Sequence, residues 1–240
     1  MFDVCFSYPP EPRFPKHFPP HTVPMHIRHL RCEYLENPAA IDVPHPRLSW
    51  QLESSERAQA QTACRILVAG TAEALAQDRG DLWDSGRMAP PASIQVPYAG
   101  RPLTSRQACF WKVRVWDRAG RASAWSDPAR WRMGLLRADD WVGAWIGADP
   151  ADGPAEFPWL RTEFDLAAAP RAARVYVQSL GYHELYLNGV KAGDDVLAPA
   201  VSQLSHRVYY LVRDATALLR PGRNCLALWL GSGWYFPGNK

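Results

Sequence analysis

The sequence predicts an all-β protein made of two successive β-sandwiches. Three observations carry that expectation. Apolar residues recur with a period of two in short runs, and clusters of Gly, Pro, Asn and Asp separate those runs. A charged segment, LRADDW (residues 136–141), divides the runs into two blocks. With 240 residues, 47% of them hydrophobic and 21% charged, the chain has the apolar content for two packed cores and lacks the composition of a disordered protein.

The chain opens on MFDVCFSYPPEPRFPKHFPPHTVP, which has a proline every few residues and no apolar core of the signal-peptide type. Proline fixes φ and removes a backbone donor, so residues 1–26 are read as an irregular, disordered tail. Met25 stands directly before the first patterned residues and is a second candidate start.

Residues 27–136 form the first block. In RLSWQLE (47–53), Leu48, Trp50 and Leu52 share a face; CRILVAG (64–70) is a short run rich in β-formers, and SIQVPYAG (93–100) follows. CFWKVRVWD (109–117) puts Trp111, Val113 and Val115 on one face and Lys112 and Arg114 on the other, the pattern of a strand with one face buried. Turns are expected at Asp117 to Gly120, Asp84 to Gly86, Ala89 to Pro91 and Ala99 to Gly100, and ARWRM (129–133) alternates again. TAEALAQD (71–78) is rich in helix formers and reads as a short helix. About seven short strands over about 100 residues is the rhythm of an immunoglobulin or fibronectin type III sandwich, with Trp50 and Trp111 as opposed core anchors.

Residues 141–240 form the second block. Residues 141–147 begin it, and a Gly/Pro/Asp-rich loop at 148–158 follows. PWLRTEFDL (158–166) places Leu160, Thr162 and Phe164 on one side. Residues 173–180 and 184–188 come next, the latter closing on Asn188-Gly189, the strongest short hairpin signal because both residues tolerate positive φ. DATALL (214–219) reads as one helical turn capped by Asp214 and stopped by Pro221-Gly222. In the last strand, 225–230, Leu226, Leu228 and Leu230 face one way. No repeat of solenoid or propeller period is present.

Several function classes are disfavoured. A net charge of +3, scattered along the chain, gives no electrostatic footprint for nucleic acid or an anionic membrane. No stretch approaches the roughly 18 apolar residues of a membrane span. The five cysteines (Cys5, Cys32, Cys64, Cys109, Cys225) are odd in number, widely spaced and without a CxxC pair, which fits a reducing compartment and a cytoplasmic protein.

Side-chain chemistry is sparse. Glycosidases need two carboxylates roughly 5 to 9 Å apart across a cleft, and adjacent Asp194 and Asp195 point to different sides. As loop oxygens, that pair better suits sugar hydroxyls or a calcium ion. His183 and Glu184, as strand neighbours, lie on opposite faces and make no dyad. His17, His21, His26 and His29 lack a metal-site spacing. GSGWY (231–235) has Trp234 where a nucleophile elbow needs glycine. Trp234 and Tyr235, after two glycines at a strand end, are placed to stack on a sugar or to pack against further protein. No residue is assigned to catalysis.

These segments, taken in order, resemble the N-terminal, non-catalytic region of bacterial α-L-rhamnosidases of glycoside hydrolase family 78. In the first block the likeness rests on EYLENP (33–38), PRLSW (46–50), LWDSG (82–86), WKVRVWD (111–117) and Trp125-Ser126. In the second it rests on LGY (180–182), ELYLNG (184–189), VLAP (196–199), DAT (214–216), PGRN (221–224) and GWY (233–235). The resemblance implies a fibronectin-like sandwich followed by a jelly-roll-like sandwich, both preceding a helical (α/α)6 barrel. In that family the barrel carries the general acid Asp and general base Glu that hydrolyse terminal α-L-rhamnosides with inversion. It also implies that this chain is truncated before the barrel, with its second sandwich incomplete, aggregation-prone and inactive alone. The implied partners are a rhamnose-containing glycoside or the missing catalytic barrel; a stand-alone carbohydrate-binding or interaction module is the alternative.

Overall fold

β-Branched and aromatic residues in alternation favour pleated pairing, and the computed structural model, which describes residues 25–89, 92–148 and 157–235, assembles them into four antiparallel sheets. The earlier part of the chain supplies β1 (His26–Cys32), β2 (Arg47–Glu53), β3 (Ala63–Ala69), β4 (Trp83–Asp84), β5 (Val96–Pro97), β6 (Ala108–Trp116) and β7 (Ala129–Arg132). They form a β1-β2-β5 sheet and a β4-β3-β6-β7 sheet. The later part supplies β8 (Trp159–Leu166), β9 (Arg174–Gln178), β10 (Tyr182–Leu187), β11 (Val190–Lys191), β12 (Tyr210–Asp214) and β13 (Gly222–Gly231). These form a β11-β10-β13-β8 sheet and a β12-β9 ribbon. The architecture is all-β, a succession of β-sandwiches.

The first core is the meeting of two alternating faces. Leu48 and Trp50 from β2 pack with Ile66, Val68, Trp111, Val113, Val115 and Trp131 from the opposing sheet. Trp50 and Trp111 are both buried, and the Trp50 indole N–H donates to Gln61 Oε1 at 3.0 Å, so the polar edge of that anchor is satisfied. Tyr98 sits edge-on between Trp83 and Trp131, with centroids 5.4 and 6.1 Å away, and its hydroxyl donates to the Arg101 carbonyl at 2.8 Å. Burial pushes that phenol up to about 12. Gly100 makes this corner possible: a Cβ there would lie 2.4 Å from the Leu82 carbonyl and 2.5 Å from Tyr98 Oη.

The predicted helix is present as α1 (Ala72–Ala76), with Thr71 Oγ1 accepting from the Ala74 N–H at 3.1 Å. Its docking corrects the one-face-buried reading of β6. α1 and Trp125 cover the second face as well, and Lys112 on that face is only 8% exposed. Alternation marked Lys112 as polar, but it could not reveal a lid supplied by distant segments.

In the later part, Asn188 and Gly189 both take positive φ (51° and 83°) and join β10 to β11, as the hairpin signal predicted. The turn after β12 is a 3₁₀ turn over Thr216–Leu218 rather than an α-turn, and Asp214 Oδ1 accepts from the Thr216 N–H at 3.0 Å. Val177, Leu185, Leu187, Ala192 and Ala215 make up the second core. Residues 141–147 carry no strand, and among the described residues the first strand of this block begins at Trp159. The proline-rich tail through Pro24, including Cys5, His17 and His21, and the turn residues Pro90 and Pro91 lie outside the described residues.

Candidate functional site

Strand β10 organises the surroundings of every residue singled out in the second block. Its alternation sends His183, Leu185 and Leu187 inward and Glu184 and Tyr186 outward, so His183 and Glu184 occupy opposite faces. His183 is buried and its Nδ1 lies 2.7 Å from Ser179 Oγ, which in turn donates to the Gly181 carbonyl at 2.7 Å. Burial is the main reason its imidazole pKa falls to about 4; nearby Arg213 adds to the fall and Asp195 opposes it.

Asp195 forms an ion pair with Arg213 of β12. Gly193, at φ +108°, lets the loop fold over that pair, since a Cβ there would lie 3.1 Å from Arg213 Nε. The space lined by His183, Asp195 and Arg213 is about 10 Å³, room for one water and not for a sugar ring. The residues present do not fit calcium: a guanidinium occupies the carboxylate a cation would need. Asp194 beside it is exposed.

Trp234 and Tyr235 follow β13 in a turn closed by the Tyr235 N–H donating to the Ser232 carbonyl at 2.9 Å. Gly181 and Gly233 bring this turn against β10: a Cβ on Gly181 would meet the Gly231 carbonyl at 2.2 Å, and Gly233 lies over the Tyr182 ring. Trp234, 76% exposed, borders a shallow space of about 60 Å³ beside Pro199 and Tyr209. Tyr235 borders a cleft of about 300 Å³ with Trp145, Ile146, Leu160, Tyr182 and Leu230, at the lower end of the ligand-pocket range. The four expected residues therefore fall in separate places: Asp195 lines one space, Trp234 a second and Tyr235 a third.

The sequence reading passed over the outer face of the β11-β10-β13-β8 sheet. Trp159 and Trp229 are cross-strand partners with rings 5.0 Å apart and 14° from parallel, and Tyr186 lies 5.4 Å from Trp159. Glu184 accepts from Tyr186 Oη at 2.6 Å and from Lys191 Nζ at 2.5 Å. Those bonds hold its carboxyl below the ordinary range, Lys191 contributing most, and Glu184 in turn raises the Tyr186 phenol. The signal was available. Leu160 and Leu228 facing inward require their neighbours Trp159 and Trp229 to face outward.

Residues 27–137 match the family model of the Rha78A-like, N-terminal immunoglobulin domain, and residues 168–239 match that of the alpha-L-rhamnosidase N-terminal domain. An alpha-L-rhamnosidase of Formosa agariphila is 33% identical over 221 residues, covering 83% of this chain and 23% of that protein. Among solved structures, the alpha-L-rhamnosidase from Dictyoglumus thermophilum superposes with a TM-score of 0.83 at 32% identity, over 88% of this chain and 25% of that one. The Streptomyces avermitilis alpha-L-rhamnosidase complexed with L-rhamnose superposes with a TM-score of 0.51 at 28% identity, over 86% and 22% of the two chains. The chain thus spans about a quarter of the length of the relatives it matches.

Proposed function

The chain belongs to the α-L-rhamnosidase family as a bearer of its accessory, non-catalytic N-terminal domains, and from that premise we propose that it serves the hydrolysis of terminal α-L-rhamnosides without performing it. Its partners in this reading are a rhamnose-containing glycoside and a catalytic barrel. The observation that carries the reading is the exposed aromatic rim at the end of β13. Tyr235 borders a cleft walled by Trp145, Ile146 and Leu230, and the neighbouring Trp234 stands exposed over a separate shallow space beside Pro199 and Tyr209. Such a rim offers flat apolar area either to the C–H face and methyl group of a deoxy sugar or to the side of an adjoining domain.

Two assays test this. The purified chain, given an aryl α-L-rhamnoside, is expected to show no turnover; turnover by this chain alone would overturn the reading. Calorimetry with L-rhamnose tests the rim itself. Heat that disappears in a Trp234→Ala/Tyr235→Ala variant supports sugar contact, and it is expected to be the same with and without calcium because Arg213 holds Asp195. No heat from the unaltered chain rejects sugar contact and assigns the rim to the barrel.

A further inference from the structure

A cavity of about 570 Å³ lies between α1 and the outward face of β6 and β7, well removed in sequence from the rim at β13. Its volume falls within the range of small-molecule sites. Leu75, Phe110 and Trp125 give it apolar walls, and Lys112, Arg130 and Asn37 supply its polar groups; no Asp or Glu lines it. Across Asn37, Pro128 and Ala129 it continues into a second space of about 410 Å³.

The strand register explains how the cations bracket an apolar floor. Phe110 of β6 is the direct partner of Arg130 on β7, and Lys112 is the next residue of β6 on the same face. Lys112 and Arg130 are therefore diagonal neighbours across Phe110, roughly 7 to 8 Å apart at the backbone. Lys112 is held rather than free to wander. Its ammonium pairs with Asp78 and lies 5.1 Å from the Trp125 ring centre, while the Trp125 indole N–H donates to the same Asp78 at 3.3 Å. An ammonium has three donors, and among the described residues Asp78 is the one acceptor bonded to this one. A lysine only 8% exposed, with donors to spare and an acid-free cavity beside it, is a preorganised anion contact. Arg130 adds a second, and its backbone N–H is fixed by Asn37 Oδ1 at 2.9 Å, which leaves the Asn37 amide N–H₂ as a donor beside the cavity.

We propose that this cavity binds a carboxylate-bearing pyranose, a glycuronic acid residue. Its ring C–H face lies against Phe110 and Trp125, and its carboxylate lies between Lys112 and Arg130. Both features of the ligand come from the lining. Facing aromatic and aliphatic walls select a ring with an apolar face, and a lining with Arg130 and the spare donors of the Asp78-paired Lys112, and no carboxylate of its own, selects a negative charge. The assignment does not depend on the function proposed above, because it concerns different residues and a different sugar chemistry.

Calorimetry and amide NMR on the full chain, with D-glucuronate, D-glucose and benzoate as probes, test it. D-Glucuronate is expected to bind with shifts at Leu75, Phe110 and the Trp125 indole. D-Glucose, lacking the charge-assisted bonds, is expected to bind roughly tenfold more weakly. Benzoate is expected to bind more weakly than D-glucuronate, since it lacks the hydroxyls. Arg130→Gln and Lys112→Met should each weaken D-glucuronate binding roughly tenfold and leave D-glucose binding unchanged. Arg130 is exposed, so its variant carries the test alone if Lys112→Met does not fold. Any of three results overturns the proposal: D-glucuronate binding no tighter than D-glucose, benzoate binding tighter than D-glucuronate, or a folded Arg130→Gln chain binding D-glucuronate as well as the unaltered one.

Discussion

Acidification should loosen the second core through a single side chain. His183 projects inward from β10, and burial lowers its pKa from 6.5 to about 4. The charged groups facing it are Arg213 of β12, which lowers the pKa further, and Asp195 of the loop after β11, which raises it. Those two are paired with each other, which leaves burial as the governing cause. A depressed folded-state pKa means the unfolded chain binds the proton more readily. The contribution is therefore complete above pH 6.5 and is lost as the pH falls toward 4. With these two values, the loss amounts to about 2 kcal/mol by pH 5 and approaches about 3 kcal/mol below pH 4. The measurement is urea unfolding followed through the Leu185 and Leu187 amide resonances from pH 8 down to pH 5, for the unaltered chain and for His183→Gln. The glutamine keeps polar character without titrating. The unaltered chain should lose about 2 kcal/mol across that range and the variant less than about 0.5 kcal/mol. Parallel pH profiles, or an imidazole at residue 183 that titrates near its ordinary value by NMR, would refute the reasoning.

Asn224 is almost fully buried and makes four side-chain bonds: its amide donates to the Arg220 and Gly222 carbonyls, and its oxygen accepts from Asn188 Nδ2 and the Arg220 N–H. Asn224→Ala strands those partners and should cost about 3 kcal/mol in denaturant unfolding, whereas a cost below about 1 kcal/mol would show the network to be dispensable. Gly134 lies where a Cβ would meet Tyr210 Oη at 2.3 Å, and that hydroxyl accepts from the Leu135 N–H at 2.9 Å. Gly134→Ala should therefore destabilise the chain by about 1 to 2 kcal/mol, and by less in a Tyr210→Phe background; strict additivity in the double-mutant cycle would place the strain elsewhere. Among the described residues no strand pairs the outer edge of β8, and Trp145, Trp159, Trp229 and Trp234 are all exposed, so concentration-dependent self-association is expected by light scattering. A lysine substituted for Thr162 on β8 should reduce it, and a monomer at every concentration would contradict the expectation.

What was legible in the sequence divides along a physical line. Period-two alternation depends only on neighbours along the chain, so β2, β6, β10 and β13 could be read directly, as could the inward set Leu48, Trp50, Trp111 and Val113. Asn188-Gly189 was readable because its positive φ values are a local demand. Groups brought together by long-range folding were not readable. Lys112 looked like a solvated strand residue until α1 and Trp125 closed over it. Asp195 looked available until Arg213, from a strand near residue 210, met it.

The residues that carry the family likeness follow the same logic. Asn188, Gly189, Gly222 and Asn224 converge on one hydrogen-bonded junction: Asn188 Oδ1 accepts from the Cys225 N–H at 2.9 Å, Asn188 Nδ2 reaches the Leu218 carbonyl at 2.8 Å, and Asn224 joins both sides. Gly181 permits the close crossing of the ends of β10 and β13. These motif positions hold turns in place. At these positions motif strength reports shared architecture. Which surface meets sugar is decided by side chains that hold no such turn: Trp234 and Tyr235, themselves part of the GWY motif, at the rim, and Arg130 at the cavity mouth, whose removal should change binding while leaving the fold intact.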